Sequence, residues 1–229
     1  MLTPNRLYLF CDFDVILPST AIISIMPPMN NKLRLHLALY GHGRSATTDH
    51  LNNTCMYTNR LESSDLLISS TLTRYHWALI IGPKEENEKS QGTQLHVQDH
   101  MQTGGTSQWS FEERDITITA TNMLLIHVTI AKILDLDWTL NIIHAVPPRP
   151  ESDGWTCWSW VREAMASLDV DGEAFGMQVM DWNTVSKKAV LYCEEKTAAD
   201  RFHSEGSSNT KYPPTWDLTV GDGGREVTP

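Results

Sequence analysis

Paired cysteines, a basic block and a membrane-length apolar run are all missing from this chain. Its four cysteines, Cys11, Cys55, Cys157 and Cys193, form no CxxC pair, and 229 residues are enough to fold without a disulfide framework. Reduced thiols in a cytoplasmic setting are therefore expected. The 18 basic residues are scattered among 28 acidic ones, and the net charge of -10 offers no footprint for nucleic acid or anionic lipid. The longest apolar stretch, Val15 to Met26, is about half of a ~20-residue span. It contains Pro18 and follows Asp12 and Asp14, where an export signal carries positive charge. No integral membrane segment is expected from it.

What is present is a core-forming chain. A hydrophobic content of 41% over this length fits one domain better than two. From Asn30 to Tyr40, Leu33, Leu35, Leu37 and Leu39 alternate with Lys32, Arg34, His36 and Ala38, the period of a half-buried strand ended by Gly41 to Gly43. The Thr, Ser and Asn-rich stretch at about 44–73 reads as a loop or insertion. Asn5 to Phe10 resembles the start of that first strand, and Met29 stands just before it. The segment 1–29 is therefore expected to be extra to the core, and part of Thr48 to Leu72 to be inserted sequence.

Tyr75 to Gly82 (YHWALIIG) reads as a buried strand turned by Gly82-Pro83, Thr93 to Gln98 as its return, and Trp109 to Asp115 as a third strand. Thr121 to Leu136 places Leu124, Leu125, Val128, Ala131, Ile133 and Leu134 near a helical stripe, while its β-branched residues leave a strand open for part of it. Trp138 to Val146 reads as extended before Pro147-Pro148. A helix capped by Asp153 or Thr156 follows to about Leu168, with Cys157, Val161, Ala164, Met165 and Leu168 on one face. A further helix is expected at about Thr184 to Phe202, then a flexible polar tail at 204–229. The core domain is thus placed at 30–203.

Thiol chemistry needs a favoured thiolate, a base and donors for an oxyanion. Cys157 opens a helix, whose unpaired N–H groups and dipole favour an anion, and its own N–H is a candidate oxyanion donor. His76 and His96 fall on neighbouring strands, so one imidazole is placed to act as base and the other to orient it. Taken singly, a strand histidine is more often packed or exposed, and a helix cysteine is more often a small hydrophobe.

The run His76-Trp77-Ala78-Leu79 with Ile81-Gly82, then His96 after a hairpin, then Cys157 opening a helix, resembles the lecithin retinol acyltransferase-like family, a permuted branch of the NlpC/P60 papain-like superfamily. The resemblance covers about a hundred residues. It implies an α+β papain-like domain with a small antiparallel sheet packed against helices, His76 as base, His96 as the residue that polarises it, and Cys157 as acyl acceptor. The chain departs from the family at the cysteine, which sits in Thr156-Cys157-Trp158-Ser159-Trp160 where the family has Asn-Cys-Glu-His. The polar tail stands where many animal members carry an anchoring helix.

Over a longer span, YHWALI, the following GPK, Trp109-Ser110-Phe111-Glu112, the Leu124 to Ile133 segment and Trp155 to Val161 resemble a group of small fungal proteins of unknown function.

Trp77, Trp155 and Trp158 are candidate lining for an acyl or aromatic cleft, with core packing as the competing use. No metal or cofactor is expected. His127, His144 and His203 lack ligand spacing, a zinc site from His76, His96 and Cys157 lacks a motif, and Asp169 to Gly172 lacks the remaining ligands of a calcium loop and reads as a turn. The expectation is a cysteine hydrolase or acyl/peptidyl transferase for a small acyl or peptide substrate. The alternative is a papain-like binding module without catalysis.

Overall fold

A computed structural model of the chain describes residues 32–41, 72–87, 89–101, 107–119, 123–149, 152, 154–202 and 212–229. The expected extra segment 1–29, nearly all of the insertion at 44–73, and Cys11, Cys55, Asp153 and His203 lie outside the described residues.

The described chain is an α+β structure built on one open eight-stranded sheet and three helices. In chain order the elements are β1 (Leu33–Tyr40), β2 (His76–Pro83), β3 (Gln91–Met101), β4 (Ser107–Thr117), β5 (Leu124–Ile133), α1 (Leu136–His144), α2 (Cys157–Asp171), β6 (Phe175–Gln178), α3 (Trp182–Ala198), β7 (Thr215–Asp217) and β8 (Arg225–Thr228). The strand order is β4-β3-β2-β1-β5-β7-β8, with β6 also paired to β5. β2, β3 and β4 form the expected antiparallel meander, and β1 inserts between β2 and β5.

Central position explains the burial. Leu35, Leu37 and Leu39 of β1 join Trp77, Leu79, Ile81, Leu95 and Val97 in the main core, against residues of α2 and α3. The alternate residues Ala38 and Ile80 pack with Ile118 and Leu124 in a second, smaller cluster. Thus β1, expected to be half buried, is covered on both faces over most of its length.

Four sequence expectations are corrected. The helical stripe over Thr121 to Leu136 is mostly strand β5. Nine of its ten residues are buried, because neighbours on both sides and layers on both faces favour a continuous apolar run with β-branched residues. Trp138 to Val146 is largely helix α1 rather than extended chain, since Asp135 caps it by accepting the Trp138 N–H at 2.9 Å. The Asp169 to Gly172 turn is the end of α2, which runs to Asp171 and stops on Gly172 at φ +67°. The tail expected to be flexible carries β7, parallel to β5 at His127 to Thr129, and β8, antiparallel to β7. Trp216 anchors that hairpin under Lys188, whose Nζ is 3.7 Å from the ring centre.

Candidate functional site

Strand β2 begins at His76, β3 carries His96 midway along its length, and α2 begins at Cys157. α2 starts there because Thr156 is extended and its N–H donates to Ser159 Oγ at 3.2 Å, half of a capping box. Its apolar face, Cys157, Trp160, Val161, Ala164 and Leu168, enters the main core beneath β2 and β3.

His76 Nε2 lies 2.8 Å from His96 Nδ1, with the rings nearly perpendicular at 85°. Tyr40, directly across the β1–β2 ladder from His76, packs edge to face with its ring, the ring centres 6.1 Å apart. His96 is 2% exposed, and burial lowers its pKa to about 4, so it is neutral near pH 7. Opposite His96 in the β3–β4 ladder is Glu112, whose Oε2 is 3.4 Å from His96 Nε2. That distance is within ion-pair range but longer than an aligned charge-assisted hydrogen bond. Glu112 Oε1 also meets His100 Nε2 at 3.0 Å, and Arg114 Nε stands 4.0 Å from Oε2.

The Cys157 sulfur accepts the Trp77 N–H at 3.5 Å. It therefore sits one residue along β2 from His76. The N–H groups of Cys157 and Trp158 also favour the anionic sulfur, as the helix start predicts. Burial outweighs them and pushes the thiol up to about 11. This corrects the expectation of a resting thiolate: the donors are present, but the sulfur is 8% exposed and starts protonated.

The fold pairs His76 with His96 and sets the Cys157 sulfur against the Trp77 backbone, on the face of the sheet that carries the Trp77 side chain. The pleat sends the side chains of His76 and Trp77 to opposite faces. Trp77 consequently belongs to the core: it is fully buried, donates Nε1–H to the Leu72 carbonyl at 2.7 Å and meets Trp182 at 5.5 Å. Trp155 and Trp158 line a groove of 430 Å³ with Gly154, Ser159, Arg162 and Glu163. That groove runs along the side of α2 facing away from Cys157.

Glu112 was visible in the sequence only as the end of a Trp109 to Glu112 segment. Its place opposite His96 is a matter of hairpin register, which the composition of the connecting loop does not reveal. Among the described residues no group of three or more His, Cys, Asp or Glu side chains is arranged to hold a metal ion, and no helix is long and apolar enough to cross a membrane.

The chain has no match among the curated proteins or the solved structures compared with it. The pattern of a family of unknown function, DUF6914, matches residues 32–223, a span that takes in every side chain of the site and the β7 strand, and the chain belongs to that family.

Proposed function

We propose that this chain is a thiol-dependent hydrolase or acyl/peptidyl transferase of the permuted papain-like type, acting on an ester, amide or thioester. The observations that support the reading are a histidine pair joined at 2.8 Å and a helix-start cysteine whose sulfur accepts the backbone N–H of Trp77, the residue after His76. In this reading the thiol gives its proton to His76 Nδ1 as Sγ attacks the carbonyl carbon, because a thiol raised to about 11 reacts only if the proton leaves during the attack. The Cys157 N–H donates to the developing oxyanion. Collapse breaks the bond to the leaving group, which takes the proton back from His76. Water or an acceptor then releases the acyl group from sulfur by the reverse order of steps. Cys157 and Cys193 are both free thiols, in keeping with a reducing, cytoplasmic setting.

The test is release of nitrophenol from p-nitrophenyl acetate and butyrate by wild type, Cys157→Ala and Cys157→Ser. Turnover lost in both variants, with unchanged circular dichroism, is the expected result; turnover that persists in Cys157→Ala rejects the mechanism.

A second reading, a binding module without catalysis, is favoured by one observation. The Trp155/Trp158 groove lies on the opposite side of α2 from the thiol, so a ligand seated there would not meet Cys157. A ligand that protects Trp158 fluorescence from quenching equally in wild type and Cys157→Ala, with no turnover in either, favours this reading.

A further inference from the structure

The proton positions in the histidine pair require an acceptor at the far side of His96. A neutral imidazole carries one N–H and one acceptor nitrogen, and its partners select the tautomer. His96 Nδ1 is engaged by His76 Nε2, while His96 Nε2 is buried, makes no aligned hydrogen bond, and has the Glu112 carboxylate 3.4 Å away. A carboxylate only accepts, so the proton of His96 belongs on Nε2. His96 Nδ1 is then an acceptor, the shared proton of the pair sits on His76 Nε2, and His76 Nδ1 becomes the basic nitrogen.

We propose that Glu112 is a positioning residue: by holding the proton of His96 on Nε2 it keeps His76 in the tautomer that presents Nδ1 as base. The assignment rests on the reading of Cys157 and His76 as the reacting pair, which gives Nδ1 its use. Its geometry stands independently of that reading. Ladder register fixes Glu112 directly opposite His96 on the neighbouring strand, so the carboxylate is delivered by backbone pairing rather than by a mobile loop. The outer flank of the carboxylate meets His100 at 3.0 Å and Arg114 at 4.0 Å. Among the groups that face the histidine pair are Tyr40 from β1, His100 from β3, and Glu112 and Arg114 from β4.

The test is long-range ¹H–¹⁵N NMR of the full chain labelled at histidine, which reports each ring's tautomer, in wild type, Glu112→Gln and Glu112→Asp. Wild-type His96 is expected as the Nε2–H form and His76 likewise. In Glu112→Gln the amide presents either a donor or a weaker acceptor to Nε2, so the Nε2–H signature of His96 gives way to a mixture. Glu112→Asp, which keeps the charge, restores it in part. Acylation of Cys157 by p-nitrophenyl acetate is expected to fall by roughly tenfold or more in Glu112→Gln, with its pH profile displaced, and to recover in part in Glu112→Asp. Wild-type His96 in the Nδ1–H form, or a tautomer unchanged in Glu112→Gln, overturns the proposal. A Glu112-dependent tautomer in a wild type whose Cys157 never acylates upholds the positioning role and overturns the thiol reading instead.

Discussion

His76 Nε2 and His96 Nδ1 are 2.8 Å apart although 20 residues separate them in the chain. The β2–β3 hairpin produces this approach diagonally, from residues on neighbouring strands rather than from a ladder pair. The consequence is electrical. A buried neutral imidazole behind His76 can pass on the influence of Glu112 without placing a second positive charge beside a base that must itself accept a proton.

Alkylation of Cys157 by iodoacetamide is expected to be slow at neutral pH and to rise toward about 11. Peptide mass spectrometry on the native chain reads this directly. A profile with its midpoint at or below the free-cysteine value of about 8.5 would show a resting thiolate and contradict the burial argument. The same raised pKa links to stability. The folded thiol holds its proton longer than the unfolded one, so its contribution is complete below the unfolded pKa and is lost as pH climbs toward about 11.

Acid should act through the buried histidines. His96 is lowered to about 4, and His36, desolvated beside His127 and Arg34, is lowered well below 6.5. Between those values and 6.5 the unfolded chain binds protons that the folded chain refuses, so stability falls as pH is lowered through that window. Urea midpoints at successive pH values should show the slope, and His36→Gln should flatten part of it. An unchanged slope in that variant would remove His36 from the account.

Trp160 is fully buried and donates its indole N–H to the Val146 carbonyl at 3.1 Å. Trp160→Ala should cost about 3–5 kcal/mol in urea unfolding, from the cavity and the carbonyl left without its partner. Trp158, partly buried beside the groove, should cost less when truncated. Equal losses would mean that the two indoles share one role.

Gly224 turns the β7–β8 connection at φ +82°, and a Cβ there would meet the Asp217 carbonyl and lie 2.6 Å from Trp216 Nε1. Gly224→Ala is expected to loosen this hairpin, raising amide exchange at β8 and weakening the Tyr192 hydroxyl bond to Glu226. Protection that stays at the wild-type level would show that the hairpin is held by other contacts.

The residues differ in how much of this they declare. The meander was legible because each strand carries aromatic or aliphatic runs broken by turn residues, and α2 because Thr156 and an apolar face mark it. β5 hid because a strand covered on both faces loses the alternation that identifies strands, and its apolar positions fall by accident near helical spacing. β7 hid because three residues, Thr215 to Asp217, take their strand conformation from pairing with β5 rather than from local propensity. At the site, residue types and order named Cys157, His76 and His96. The contribution of Glu112 and the protonated state of the sulfur depend on register and burial, which exist only after folding.

The most direct test of the thiol reading is the acyl adduct itself. The native chain is incubated with p-nitrophenyl acetate at pH 7.5, quenched in acid, digested, and the Cys157 peptide weighed in wild type and in His76→Ala. An acetyl group on Cys157 in wild type, formed on the order of a hundredfold more slowly in His76→Ala, is the expected result; no adduct in wild type, or one that forms at the same rate without His76, would contradict it.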